Sequence, residues 1–478
     1  MIGYYGSYDV VVCGGGTSGI PAAVAAARTG AKTLLIERTG QLGGQMNFSG
    51  PPGFSYAWMF NAHHEQIIGG FLEETHKRLL EMGHALPHLL PDWRGAYTFS
   101  YVDPDWWGLL VYQILAEEKA EMMLHSLVTE IIKDGNVVKG VLVEHPSGRS
   151  IVLGKVIIDC TGEGEVGYQA GAQYEIESPE NLEPSTVAFT ADGVDWDKVL
   201  KYMKENIKDF LFEQANYEDR GYTRETVEEA IKKTNSIIEI GEIMGYISLR
   251  NHGLKTGEWH GQSGVGFFLM PKGGRVLAHF QHSSHVGKTD ATNVRDISHV
   301  EIEARRQDVI AWNFFKKYVP GFENAYITRV CPEARVRETR RIMGDYKIKP
   351  DDIIESRKFP DVIGKSSFST GAKHAVGDSA IVQLPNSGKP KDGGSHDIPY
   401  RALVPIGLEN LLIAGKAIST ERPCHHRFLM ETMVTGQAAG VAAGLCAKKG
   451  ITPREMEKDV SELQSVLQKQ GAILYGTK

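Results

Sequence analysis

Residues 8–38 read YDVVVCGGGTSGIPAAVAAARTGAKTLLIER. Tyr8 to Cys13 is a nearly continuous apolar run rich in valine, the composition of a strand buried on both faces. Gly14, Gly16 and Gly19 follow at G-x-G-x-x-G spacing. The first glycine permits a sharp turn, the second a close backbone approach to a phosphate, and the third close packing of a helix on the strand. Ala22 to Ala27 continues as a helix of small residues, whose N-terminus aims free N–H groups and the positive dipole end at an anion. Lys32 to Ile36 is a second apolar strand, and Glu37 stands at its end, where a carboxylate can accept hydrogen bonds from ribose hydroxyls. A tight strand-to-helix turn alone would need only the glycines. The full order of strand, glycines, helix, strand and acid is the context of a dinucleotide site.

Glu37 also disfavours a 2′-phosphate, which leaves FAD or NAD open at this point. With 478 residues the chain is long for one core, so two or three compact units are expected. The formal charge of −7 and the lack of a basic tract argue against nucleic acid as a partner. No apolar stretch reaches membrane-spanning length and no basic leader opens the chain, so a cytoplasmic protein without membrane association is expected. The five cysteines are scattered without C-x-x-C spacing, which predicts a reducing compartment, no disulfide framework and no metal knuckle.

The chain returns towards the first motif three times. A loop at 38–54, RTGQLGGQMNFSGPPGF, carries Gly43 and Gly44, either for close backbone approach or as a plain surface turn. Residues 122–172 alternate like an antiparallel meander, with turns at Asp134-Gly135-Asn136 and Pro146-Ser147-Gly148, and end in a buried strand (Val156 to Ile158) before Thr161-Gly162. Near the end, Leu411 to Ala414 reads as a strand and Gly436 to Cys446 as a small-residue helix closed by Lys448, Lys449 and Gly450.

The stretches GGGTSGIPAAVAAARTGAKTLLIER with LGG, KVIIDCTGEGEVGYQAGA, PGFENAYITRVCPEARVRETRRIMGDY, and IPYRALVPIGLENLLIAGKAIST with TGQAAGVAAG together resemble the FAD-dependent oxidoreductases with a two-part, glutathione-reductase-type FAD domain. The resemblance covers most of the chain. It implies an α/β fold: a Rossmann-like FAD-binding domain, a parallel sheet with a β-meander, and an inserted α+β substrate domain. It implies FAD as cofactor, with the diphosphate at Gly14, Gly16, Thr17, Ser18 and Gly19, and the ribose at Glu37 beside Arg38. It further implies the adenine near Val128, the isoalloxazine near Gly43, Gly44, Gln45, Gln437 and Ala438, and cofactor contacts from Thr161, Gly162 and Gly415. Gln45 departs from the threonine or alanine that many relatives carry after the two glycines, and the following loop is rich in aromatics, so substrate identity does not transfer.

The expected organisation is a discontinuous FAD domain at 1–172 and 396–450, with a helical insert at about 56–125. A substrate domain is expected at 173–395 and a C-terminal helix at 451–478. A flavin carries out hydride transfer itself, so the protein must position the substrate and supply a proton carrier. Four residues are nominated for catalysis. His425 and His426, in STERPCHHRFLMETM, lie between the last strand and the last long helix, as an acid/base pair, a solvated loop or a covalent flavin anchor. His396, in GGSHDIPYRALVP, sits behind glycines that suggest a mobile loop. Arg337 belongs to a cluster with Arg329, Arg335, Arg340 and Arg341 that either holds a carboxylate or forms an ion-paired interface. His63 and His64, with Trp58 and Phe48, are expected opposite, and Trp106 and Trp107 read as core or as a stacking wall. His76, His84 and His88 form no recognisable ligand spacing, so no metal is expected and these rings read as surface histidines.

The function that follows is an FAD-dependent oxidoreductase, a dehydrogenase, oxidase or reductase moving a hydride between flavin and a small polar organic molecule. The electron acceptor is left open and a homo-oligomer is allowed. Three other readings are an FAD-bearing electron-transfer subunit, a non-redox or RNA-modifying flavoprotein, and an NAD-only dehydrogenase.

Overall fold

The computed structural model describes residues 2–48, 56–91, 98–210, 223–374, 381–424 and 426–478. Strand β1 (Ile2–Cys13), helix α1 (Gly19–Arg28) and strand β2 (Thr33–Ile36) form the opening β–α–β unit. β1 starts at Ile2 rather than Tyr8, because Ile2 to Tyr8 pairs with Arg149 to Gly154. Most of that extension is exposed, so hydropathy does not mark it.

The seven-stranded sheet has Glu121–Met123, β2, β1 and Gly148–Asp159 side by side. All of these pairings are parallel. Gly148–Asp159 serves two neighbours. Its first half pairs antiparallel with Val137–His145, which continues the meander to Leu127–Asp134, and its last residues pair parallel with Leu411–Ile413. The meander turns fall at the expected places. The region 56–125 is less purely helical than expected: it holds helix α2 (Gly70–Glu81), the helix Pro104–Glu117 and a short two-stranded antiparallel sheet of Tyr56–Ala57 with Phe99–Ser100, and its last strand, Glu121–Met123, is the edge of the main sheet.

The long helix Leu429–Lys449 lies directly on α1. A Cβ on Gly436 would lie 2.1 Å from the Ser18 carbonyl, and one on Gly440 the same distance from that of Ala22. Backbone-to-backbone approach of this kind excludes any side chain, which is why the sequence spends its small residues there.

A second sheet is wholly antiparallel, with spatial order Glu242–Gly245, Val265–Lys272, Arg275–Phe280, Phe189–Asp192, Tyr326–Val330. Its core stacks Phe189 on Phe280 at 4.4 Å and packs Phe267, Phe315 and Phe322 beside them, covered by the helix Val294–Tyr318. Core membership shifts the expected boundary at 395. Ile342, Ile348, Val362 and Ile363 belong to the first core, and His396–Pro399 pairs with Val362–Ser366, so the return to the first unit begins well before His396. The end of the chain forms two helices rather than one, Pro453–Met456 and Ser461–Lys469, after which Ser395 N–H donates to the Lys478 carbonyl.

Candidate active site

Gly14 has φ +103°, and a Cβ there would meet the Cys160 carbonyl at 2.4 Å; one on Gly19 would meet the Gly14 carbonyl at 1.7 Å. These two glycines are required by the turn itself. Gly16 is different: the nearest atom to a Cβ there is Gly44 Cα at 3.8 Å. Gly162, at the end of the neighbouring strand, is as open, with only Lys416 Cε at 3.9 Å. Space that a side chain could fill, at the C-terminal ends of adjacent parallel strands and beside a helix N-terminus, is what a pyrophosphate needs. The Gly43 N–H donates to the Gly15 carbonyl at 2.8 Å, which brings the Gly43–Gly44 loop against the first motif.

Glu37 organises this crevice. One oxygen accepts from Gly15 N–H at 2.7 Å, and the other from Thr39 N–H and Oγ1, both at 2.9 Å. A carboxylate has about four acceptor positions, so capacity remains for a ribose hydroxyl. Val128 lies half-buried on the adjoining strand. Arg38 is exposed and pairs with Glu333 at 2.5 Å. Thr161 is committed within its own loop: its N–H and hydroxyl both donate to buried Asp159, whose pKa burial pushes up, and its Oγ1 accepts from Glu165 N–H at 3.0 Å. Ser18 abuts Gly415, where a Cβ would meet Ser18 Oγ at 2.9 Å, and Thr17 Oγ1 lies 2.8 Å from Thr432 Oγ1.

Thr432 marks the first main correction. The long helix starts at Leu429, not near Gly436, so its free N-terminal amides belong to the turn beside Thr17. Gln437 lies two turns further on. Its Oε1 accepts from Phe71 N–H at 3.1 Å and its Nε2 donates to the Gln470 carbonyl, so it clamps α2 and the C-terminal segment rather than facing the crevice. Ala438 is buried beside it. Gln45 donates to the Val336 carbonyl at 3.1 Å, which joins the glycine loop to the arginine segment. Lys416 reaches the same carbonyl at 3.1 Å and Glu163 at 2.7 Å. It adjoins Gly162, and its position directly after Gly415 is the signal that could have nominated it.

The nominated histidines divide. His425 lies outside the described residues. His426 and His396 meet, Nε2 to Nε2 at 3.0 Å, with ring planes at 90°. His396 is not on a mobile loop: it is 1% exposed, within a strand, opposite Ser366. Burial, and secondarily His426, hold its pKa well below the ordinary histidine value. Next to the pair, Glu431 accepts from Ser366 Oγ at 2.6 Å and from Phe428 N–H, and burial raises its carboxyl to about 7. Trp58, Phe368 and Phe428 form an aromatic wall there, with Phe368 and Phe428 at 4.2 Å.

The arginine cluster also splits. Arg329 pairs with Asp105 at 2.8 Å, Arg340 lies over the Tyr168 ring at 4.1 Å, and Arg341 pairs with Glu177 and Glu338, so these three are structural. Arg335 and Arg337 are buried. Arg337 donates to the Pro184 carbonyl and lies 3.3 Å from His282 Nδ1, while Arg335 donates to Gln281 Oε1. Arg427, beside His426, pairs with Glu183 at 3.0 Å. Burial, and then the neighbouring guanidiniums, pull Arg335 down to about 10 and hold Arg337 well below its ordinary value. His282, Gln281 and Glu183 were not nominated from sequence; they come from strand ends and loops with no local motif.

Other expectations also meet the structure. Trp107 is core, and Trp106 stacks on His84 at 3.8 Å. His63 bonds the Asp392 carbonyl at 2.6 Å. His76 is not a surface residue: it is 1% exposed, and burial holds its pKa near 4. All five cysteines are buried free thiols. Among the described residues, no helix is long and apolar enough to cross a membrane.

The profile of the FAD dependent oxidoreductase family matches residues 9–467. The chain belongs to that family. FAD is therefore its cofactor; the open faces of Gly16 and Gly162 and the spare acceptor capacity of Glu37 are compatible with holding it. Two curated relatives are digeranylgeranylglycerophospholipid reductases. That of Picrophilus torridus is 30% identical over 195 residues, 40% of this chain and 48% of the relative. That of Methanococcoides burtonii is 24% identical over 41% of this chain and 47% of the relative. The chain thus spans about half the length of the curated relatives it matches. Similar solved structures include a geranylgeranyl bacteriochlorophyll reductase-like protein of Thermoplasma acidophilum, with 16% identity, TM-score 0.45, and 97% and 87% of the two chains covered. Another is p-nitrophenol 4-monooxygenase of Pseudomonas putida, with 12% identity, TM-score 0.46, and coverage of 98% and 89%.

Proposed function

We propose that this flavoenzyme oxidises or reduces a small polar, anionic organic molecule by hydride transfer, with the His396–His426 pair as its proton carrier. The observation that carries the reading is the pair itself, 3.0 Å between facing Nε2 atoms, next in sequence to Arg427 and near the start of the long helix. Bound FAD would supply the hydride chemistry. The protein would do the rest. A contact between two Nε2 atoms requires that at least one lack its proton, so the pair holds a proton that either ring can pass on. Arg335, Arg337 and Arg427 offer charge to a carboxylate, in surroundings where water screens it little. The aromatic wall of Trp58, Phe368 and Phe428 would exclude water from the apolar side of the substrate.

That wall, with the reductase names of the curated relatives, favours one second reading: saturation of a prenyl chain. Reduction of the purified protein's flavin with a strong reductant, then anaerobic mixing with 2-enoates and with short prenyl phosphates, separates the two. Reoxidation by the enoates alone supports the first reading; reoxidation by the prenyl compounds alone overturns it.

A further inference from the structure

Helix α2 carries Glu73 and His76 three residues apart, hence on one face, and the segment after it returns His88 to that face. Donor atoms of these three side chains all lie within 4.8 Å of one another, and among the described residues they are the one such group of His, Cys, Asp and Glu. Glu73 Oε2 lies 3.2 Å from His88 Nε2. The rings of His76 and His88 stack at 4.0 Å.

The nitrogens on the far side of each ring are already held. His76 Nε2 lies 2.9 Å from the Leu86 carbonyl, which can only accept, so this nitrogen carries the proton and Nδ1 keeps its lone pair. That Nδ1 is buried without a hydrogen-bond partner. His88 Nδ1 lies 2.6 Å from Ser100 Oγ. The carboxylate is itself oriented, accepting from Gln66 Nε2 at 3.0 Å. Two imidazoles, each fixed through its second nitrogen, and a hydrogen-bonded carboxylate are the arrangement that metal centres use to aim their ligands.

We propose that Glu73, His76 and His88 bind a divalent transition-metal ion, tested with zinc, which fastens α2 to the segment that carries His88. Two nitrogens and one carboxylate suit zinc at three positions and leave a fourth for water. A bare cluster would otherwise leave a lone pair buried and unmatched, a costly arrangement. The crevice for FAD uses none of these residues. Their connection to it is mechanical: α2 begins at Gly70–Phe71, where Gln437 of the long helix clamps it.

The test uses the FAD-loaded protein, stripped by a chelator and dialysed against metal-free buffer. Titration with zinc against a chromophoric competitor should show one equivalent bound, with a raised melting temperature. His76→Ala and His88→Ala should lose this uptake while keeping the flavin spectrum. His84→Ala, on a ring outside the group, should keep it. Ser100→Ala, which touches no metal, should weaken zinc binding roughly 10–100-fold, the usual effect of removing a group that orients a ligand. This variant keeps the proposal testable if either histidine variant fails to fold. Absence of uptake by the parent protein, or equal uptake by parent, His88→Ala and Ser100→Ala, would overturn the site.

Discussion

His396 and His426, thirty positions apart in the chain, share a hydrogen bond between Nε2 atoms at 3.0 Å, and His396 is buried in a strand. Two imidazoles so placed cannot both be doubly protonated. One proton at most lies between the two nitrogens, so the two rings should not be treated as separate acids.

Replacing His426 or His396 with Asn should leave FAD bound and slow flavin turnover with substrate roughly 10²–10⁴-fold, the usual contribution of a positioned acid or base. The pH profile should lose one limb. Stopped-flow measurement of flavin reduction or reoxidation checks this, and full single-turnover rates in both variants would remove the pair from the chemistry.

Gly16→Val should abolish FAD binding while the apoprotein still folds. The Cβ it adds has free space, with Gly44 Cα at 3.8 Å, so the side chain would occupy the crevice rather than the core. Gly440→Ala should do the reverse. Its Cβ would sit 2.1 Å from the Ala22 carbonyl, forcing two helices apart, and should cost about 1–3 kcal/mol of stability. Urea unfolding of both variants, with flavin absorbance after reconstitution, distinguishes a binding position from a packing position.

Glu431 gives a pH signature. Burial raises its carboxyl from 4.5 to about 7, so between these values the folded protein holds a proton that the unfolded chain has released. Its contribution to stability is whole below 4.5 and is lost as pH rises towards 7. Glu431→Gln removes that loss, so its stability relative to the parent should rise across the window by on the order of 3 kcal/mol. His396 has the opposite sign: its lowered pKa makes the unfolded chain the better proton binder, so its contribution is lost as pH falls below the ordinary histidine value. Urea midpoints at about pH 5 and about pH 8 compare the parent with each variant.

The opening β–α–β unit was legible because its signal is local: glycines with steric demands, an apolar run on either side, and an acid at a fixed distance. The meander turns were legible for the same reason. The start of the long helix was not. The residues before Gly436 lack the small-residue pattern, and the helix start is held by the Glu431 carboxylate, which accepts from Phe428 N–H, and by burial rather than by composition. The pairing of His396 with His426, and the separation of Arg335 and Arg337 from their neighbours in sequence, depend on contacts between distant segments. His76 was misread because no spacing in the chain reveals that α2 folds back onto His88.

The central claim is that the crevice at Gly16, Gly44 and Gly162 leads to a reaction face lined by the histidine pair and Arg337. A crystal structure of the FAD-bound protein tests it most directly. The account predicts the diphosphate at Gly16, and the flavin ring between the Gly43–Gln45 loop and the start of the Leu429 helix. A group resting on that ring should then lie within hydrogen-bond reach of His396 or His426, directly or through one water. A ring whose open face looks away from both histidines and from Arg337 would contradict it.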